Sequence, residues 1–257
     1  RCALVTGVQT CALPIYISGT TAHIWDAATG EELLSLRGHN QWACALAWSP
    51  DSSRVATGSH DDTVRVWDAA TGQTQLVLGA GNSVETVSWS PDGTRLSIGA
   101  KIGGNRVWDA ATGQPRLTVD NGARELSEVV WSPDGTRLAT SSYLSPRVLI
   151  LDASTGDVVQ ALTAGEDDVN DIAWSPDSER ILTGLGDDRA AIWDAARGER
   201  LLTLEGHSDM ITSVAWSPNG QRALTGSQDG TARIWDAATG EVIHTYTGNW
   251  VRDVVWT

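Results

Sequence analysis

Two sets of four side chains share one spacing in this chain. His39, Thr57, Asp61 and Trp67 return as His207, Thr225, Asp229 and Trp235, with steps of 18, 4 and 6 residues in both sets. An acid, an imidazole and a hydroxyl can form a nucleophilic triad. The acid orients the imidazole, the imidazole takes the hydroxyl proton, and the oxygen attacks an acyl carbon. Such a triad also needs an open cleft and donors for the oxyanion. Whether Thr57 and Thr225 have either depends on the elements that hold them.

Other chemistry-bearing residues are sparse. "GEDDVND" (165–171) and "GDD" (186–188) cluster carboxylates, but without the Asp, Asn, Gly and terminal Glu spacing of a calcium loop, and read as solvated acidic turns. The 5 His residues show no HxxxH or similar zinc spacing. No GxxxxGK[ST] loop occurs, and "KIGGNR" (101–106) is glycine-rich but lies at a strand-to-strand turn with no helix to aim at a phosphate. The expectation is no catalytic residue, no metal and no cofactor. A net charge of −14 repels phosphate backbones, so neither nucleic acid nor an anionic membrane is an expected partner. No apolar run is long enough to span a bilayer. Of Cys2, Cys11 and Cys44, only Cys44 lies in the repetitive part of the chain, which excludes a disulfide framework there and is compatible with a reducing compartment. The chain is expected to be cytoplasmic.

The elements that must position these residues repeat. "IWDAATGEEL" at 24–33 returns as five close variants, the last "IWDAATGEVI" at 234–243, and its Asp falls at 26, 68, 109, 152, 194 and 236. The intervals are 42, 41, 43, 42 and 42 residues. "WSPD" or "WSPN" keeps the same beat from Trp48, Trp89, Trp131, Trp174 and Trp216, and Trp256 follows 40 residues after the last. Within 38–78, four short apolar runs ("WACALAW", "RVATGS", "TVRVWD", "TQLVL") are separated by "SPDSS", "HDD" and "AATG". Such runs, rich in Val, Leu and Trp and bounded by Pro, Asp, Gly and Ser, are strands. Gly72 suits the left-handed residue of a bulged hairpin. Several runs lack alternation, so both faces are expected to be buried, and a four-stranded unit can bury both faces only against its neighbours.

The period, the pairs Gly38–His39 and Gly206–His207, and the "WD" closing the third run together resemble the WD-repeat family of β-propellers, from Tyr16 onward. The wording "WSPDGTRL…WDAATGE" is similar to that of bacterial members, which are often attached to signalling NTPases or kinases. The resemblance implies an all-β propeller of four-stranded antiparallel blades, about six wedges in this slice. Five complete blades are expected at 38–78, 79–119, 121–162, 164–204 and 206–246, and one is split between 22–36 and an innermost strand at 249–257. It also implies a structural relay in place of the triad: Asp bonds His, His bonds the hydroxyl, and the hydroxyl bonds the Trp indole. Other units depart from this pattern. The unit of Trp193 keeps Thr183 and Asp187 without His, the unit of Trp108 has Ala80, Ile98 and Ile102, and the 122–162 unit has Leu151 for Trp and one extra residue.

"VTGVQTCALPI" (Val5–Ile15) fits none of this and resembles, codon for codon, a translated sequencing-library adapter. Residues 1–15 are therefore expected to be non-native, with a propeller truncated at both ends at 16–257. "GTTAHIWD" (19–26) matches "DGTARIWD" (229–236), which supplies strands three and four of the first unit.

The resemblance implies a non-catalytic protein-interaction scaffold or sensor, within a larger bacterial signalling protein, that binds a protein or peptide on the top face. The alternative is a propeller hydrolase with a metal at the central channel. In the family, top-face contacts come from positions three and five after the His and from the residue before the tight-turn Asp. Carried over, these are Trp42, Cys44 and His60; Met210, Thr212 and Gln228; Ser83, Glu85 and Lys101; Glu125 and Ser127; Asp168, Asn170 and Gly186; and Trp250 and Arg252. The expectation is an aromatic half-face of Trp42, His60, Met210 and Trp250, opposite an acidic half of Glu85, Glu125 and Asp168. Such a face suits a segment with an apolar anchor and a Lys or Arg some residues away.

Overall fold

The computed structural model describes residues 13, 15–100, 105–119, 126–142, 145–165 and 168–256. Nearly all of the segment expected to be non-native, together with Lys101, Ile102 and Glu125, lies outside them, as does the side chain of Ser127. Every regular element among the described residues is a β-strand. The chain forms two compact units, 1–129 with 257, and 130–256.

The first unit holds β1 (Ile15–Ser18), β2 (Thr21–Trp25) and β3 (Glu32–Arg37) in a three-stranded sheet. Its second sheet is β4 (Ala43–Trp48), β5 (Arg54–Ser59), β6 (Thr63–Asp68) and β7 (Thr74–Gly79). The third is β8 (Val84–Trp89), β9 (Arg95–Ala100), β10 (Asn105–Asp109) and β11 (Pro115–Val119). The sheets built mainly from the second unit start with β12 (Leu126–Trp131), β13 (Arg137–Ser142), β14 (Arg147–Asp152) and β15 (Val158–Thr163). Then come β16 (Val169–Trp174), β17 (Arg180–Leu185), β18 (Ala190–Asp194) and β19 (Arg200–Leu204), and last β20 (Ile211–Trp216), β21 (Arg222–Ser227), β22 (Thr231–Asp236) and β23 (Val242–Thr247). Each sheet follows chain order, as a β-propeller blade does, and the five four-stranded sheets fall within about one residue of the expected ranges.

The repeated wording has local causes. In "WDAATG", the Asp68 carboxylate accepts from the Thr71 hydroxyl at 2.9 Å and from the backbone N–H of Thr71 and Ala70 at 2.9 and 3.1 Å, which lowers its pKa and pins the turn. Gly72 then takes φ of 72°, where a side chain would be strained, and donates to Asp68 O at 2.8 Å. The ladder shifts register between Val66 and Trp67, as in a bulged hairpin. In "WSPD", Ser49 Oγ donates to Asp51 at 2.6 Å and accepts from Arg54 N at 2.9 Å; hydrogen bonds from Ser49 and Ser53 hold the Asp51 pKa at about 2.

Strand two is the most enclosed. In β5, β9, β13 and β17 every residue after the first is buried, so both faces are covered. Neighbouring sheets within a unit are stitched by the Trp and Arg of "WSPDGTR". Trp89 Nε1 donates to Ala47 O at 3.2 Å, while Arg54 lies 4.4 Å over the Trp89 ring and donates to Gly93 O at 2.8 Å. In the second unit Trp216 donates to Ala173 O at 3.1 Å, under Arg180, which donates to Gly220 O at 2.8 Å. The guanidinium thus covers an aromatic face and fills a turn's carbonyls together.

Of the two terminal elements, the C-terminal one differs from expectation. β1 takes the strand-two place of the first sheet, pairing Ile15 with Ile24 and Ile17 with Ala22. Ile15 and Ile17 are buried there, because alternation alone lets "IYIS" fill an inward-facing slot. The segment expected as an innermost strand at 249–257 forms no strand over 250–256. Its bonds are single ones: Val251 N to Ser227 O at 3.2 Å, Val254 N to Ser213 Oγ at 3.2 Å, and Thr212 Oγ1 to Val251 O at 2.6 Å. Elsewhere strand one gains its ladder from the strand two that follows the "WSPD" turn. Here Val251 and Val254 instead pack on Gly226, where an added Cβ would stand 2.7 and 2.8 Å from their methyls.

Candidate functional site

Both four-residue sets assemble. His39 is on the loop entering β4, Thr57 is in β5, Asp61 in the β5–β6 turn and Trp67 at the end of β6. His39 Nδ1 lies 3.0 Å from Asp61 Oδ2, His39 Nε2 lies 2.8 Å from Thr57 Oγ1, and Trp67 Nε1 donates to Thr57 Oγ1 at 2.8 Å. The second set gives 2.9, 2.7 and 2.8 Å for His207–Asp229, His207–Thr225 and Trp235–Thr225. A neutral imidazole satisfies every atom: Nδ1–H donates to the carboxylate, Nε2 accepts the hydroxyl proton, and the hydroxyl oxygen accepts the indole N–H. Burial lowers the pKa of both histidines, against the raising pull of their Asp partners. For Asp61, burial is outweighed by hydrogen bonds from Thr63, Asn40 N and His39, which bring its pKa to about 2.

The arrangement cannot act as a nucleophile. Thr57 and Thr225 are wholly buried, and each hydroxyl already holds an indole donor where a substrate carbon would have to approach. The four groups are an internal relay that lets a polar network close without water.

The degraded blades show what the relay does by losing parts of it. Trp193 still donates to Thr183 Oγ1 at 3.0 Å, and Asp187, with no His, pairs with Arg189. Where Ile98 replaces the hydroxyl, the buried Trp108 Nε1 has no partner. Where Leu151 replaces the Trp, the opposite half is stranded, and the buried Thr140 Oγ1 has none. Thr140 escaped the sequence reading because the extra residue in its hairpin shifts the spacing; the pairing of Leu138 with Leu151 restores it to the Thr57 position.

Comparison with known proteins agrees with this geometry. The WD domain, G-beta repeat family matches residues 30–68 and 198–236, each stretch ending on the "WD" of a relay blade. The Anaphase-promoting complex subunit 4 WD40 domain matches residues 102–177. The chain belongs to the WD-repeat family. Mouse Coronin-7 is 48% identical over 44 residues, which span 17% of this chain and 5% of that protein. The crystal structure of the computationally designed Ika8 protein superposes with a TM-score of 0.85 at 25% identity, covering 97% of this chain and 76% of that one.

The positions expected to make top-face contacts fall into two kinds. Of those three residues after the His, the large apolar ones stand out from the surface: Trp42 is 60% exposed, Trp250 52% and Met210 36%, while Ser83 is half-buried. Trp42 O accepts from His60 N at 2.8 Å, and Met210 O from Gln228 N at 3.1 Å, so each is fixed beside the tight-turn residue of its blade. Arg252 lies 4.6 Å over the Trp250 ring. Asp168 is half-buried and its carbonyl accepts from Gly186 N at 3.0 Å.

The positions five after the His are different. Cys44, Glu85, Asn170 and Thr212 each sit at a register shift in strand one, so none has a ladder partner. A bulge re-aims its side chain. Cys44 Sγ reaches Val84 O at 2.9 Å, Asn170 Nδ2 donates to Ile211 O at 3.0 Å, and Thr212 Oγ1 to Val251 O. They tie one blade's strand one to the next chain segment. Glu85 departs from the expected acidic half-face: its carboxylate lies within 4.8 Å of His60 and Cys44, because its bulge aims it at the preceding blade's turn. Glu125 lies outside the described residues. Further inter-blade ties went unread in the sequence, such as Asp171 Oδ2 accepting from Val214 N at 2.6 Å and Ser213 Oγ donating to Asp253 at 3.0 Å. Their signal is the polar residue that follows the bulge in these two strands, Asp171 and Ser213.

Proposed function

We propose that this chain is a non-catalytic scaffold that takes a protein or peptide segment on the tight-turn ends of its blades. The observation that carries this reading is the exposure of Trp42 and Trp250 at those ends, while the hydroxyls of the two relay sets, Thr57 and Thr225, are sealed inside. Of the 13 Trp residues, these two lie outside the "WD" and "WSPD" beats. Large aromatics and Arg are the usual anchors of interfaces. Trp250 carries Arg252 over its ring, and Met210 offers an adaptable apolar contact beside Gln228. The repeat wording supports placing this scaffold in a cytoplasmic bacterial signalling protein, as the part that senses or recruits.

The test is selection of binding segments from a displayed peptide library on the full chain, followed by affinity measurement. Selected segments should share an apolar anchor, and Trp42→Ala should weaken binding by about 2 kcal/mol with little change in melting temperature. Unchanged affinity, or loss of the fold, removes Trp42 from the site.

A further inference from the structure

The geometry points to a zinc(II) site formed by Cys44, His60 and Glu85. Their ligand atoms all lie within 4.8 Å of one another, and each side chain is half-buried. A tetrahedral zinc needs its ligand atoms roughly 3.3–3.6 Å apart, so the cluster has on the order of 1 Å to close, within reach of side-chain rotation. Three separate backbone segments hold it. Cys44 and Glu85 are the unladdered residues of two bulges, and His60 sits in the β5–β6 turn, fixed by its N–H to Trp42 O at 2.8 Å. Ser83 Oγ donates to Glu85 Oε1 at 3.2 Å, the kind of outer contact that orients a ligating carboxylate.

The donor set selects the ion. One thiolate, one imidazole and one carboxylate carry −2, which a divalent cation cancels. Calcium and magnesium want oxygen alone, whereas zinc accepts sulfur, nitrogen and oxygen together and leaves a fourth position to water. On binding, the Cys44 thiol gives its proton to solvent and gives up its contact with Val84 O. The corresponding residues of the His207 blade are Thr212, Gln228 and Arg252, a set without thiolate, imidazole or carboxylate and with a cation of its own. The site is thus a property of these three residues and not of the repeat. It goes beyond the docking reading and does not depend on it.

The test uses the full chain carrying Cys2→Ser and Cys11→Ser, so that Cys44 is its one thiol, titrated with zinc(II) by calorimetry and with cobalt(II) by absorption. One zinc per chain should bind with a Kd of about 1 μM or tighter. Cobalt(II) should produce a thiolate charge-transfer band in the near ultraviolet. Cys44→Ser keeps the hydrogen bond that Thr212 makes in its own blade; it should abolish the band and weaken zinc at least about tenfold. Glu85→Gln and His60→Ala should each weaken zinc to a similar degree while leaving the melting temperature of the metal-free chain unchanged. Absence of binding up to about 100 μM zinc, or binding that survives both Cys44→Ser and Glu85→Gln, overturns the proposal.

Discussion

The blades of His39 and His207 have nearly superposable interiors and unlike ends. Their relay distances agree to 0.1 Å or better, 3.0 against 2.9, 2.8 against 2.7, and 2.8 against 2.8 Å. At the tight-turn end, Trp42, Cys44 and His60 in one correspond to Met210, Thr212 and Gln228 in the other. A buried polar atom left unpaired costs about 1–3 kcal/mol, so the relay tolerates little change. Positions at the open end of the blade, exposed or half-buried, bear no such cost, and there two copies of one repeat have become an aromatic–thiol–imidazole surface and a thioether–amide surface.

The largest test of this equivalence is removal of the indole. Trp67→Ala and Trp235→Ala should each destabilise by about 3–5 kcal/mol, through cavity formation and a stranded hydroxyl, read as the shift in urea midpoint. A loss in one blade without the other would end the claim that the interiors are equivalent. His207→Ala should cost about 1–3 kcal/mol, because Asp229 and Thr225 lose their shared partner. A His207→Ala protein of full stability that had lost a hydrolytic activity would restore the triad.

Acid should act on both relays in one direction. Each histidine has a folded pKa below its unfolded value, so the unfolded chain binds protons more readily. That stability is whole above pH of about 6.5 and declines as the pH falls from there. Asp61, at about 2 when folded against 3.8, adds a second loss as the pH drops from 3.8 towards about 2. Melting temperature should therefore fall steadily on acidification. A rise between about pH 7 and pH 5 would mean the imidazoles are protonated in the fold.

The smallest effect sharpens the contrast between intact and broken blades. Ile98→Thr returns a hydroxyl to the orphaned Trp108 indole and should stabilise by about 0.5–1 kcal/mol by chemical denaturation. The reverse change, Thr57→Ile, should destabilise, since it strands His39 and Trp67 together. Equal signs for the two would show that the unpaired indole of Trp108 costs nothing.

The strands and their order were legible in the sequence because they depend on short-range turn chemistry repeated along the chain, and the relay because one spacing occurs twice. Asp68 and Gly72 form their turn wherever "WDAATG" occurs, and the equal spacings of the two relay sets follow from equal hairpins. The wording misleads where the repeat itself changes. Thr140 was hidden by one extra residue, and the chain at 250–256 has strand-one wording without a strand. A strand is made by its partner's backbone as much as by its own residues.

Composition and period alone determine that this chain is all-β, acidic and built of units that must cover one another, because apolar runs of that length between turn residues have no other way to bury two faces. Only the tertiary structure decided which polar side chains meet. Cys44, His60 and Glu85 are separated by 16 and 25 residues, and nothing in those intervals resembles a ligand motif. Their approach is set by two bulges in neighbouring sheets and a turn between them, and a bulge's direction comes from the ladder it interrupts.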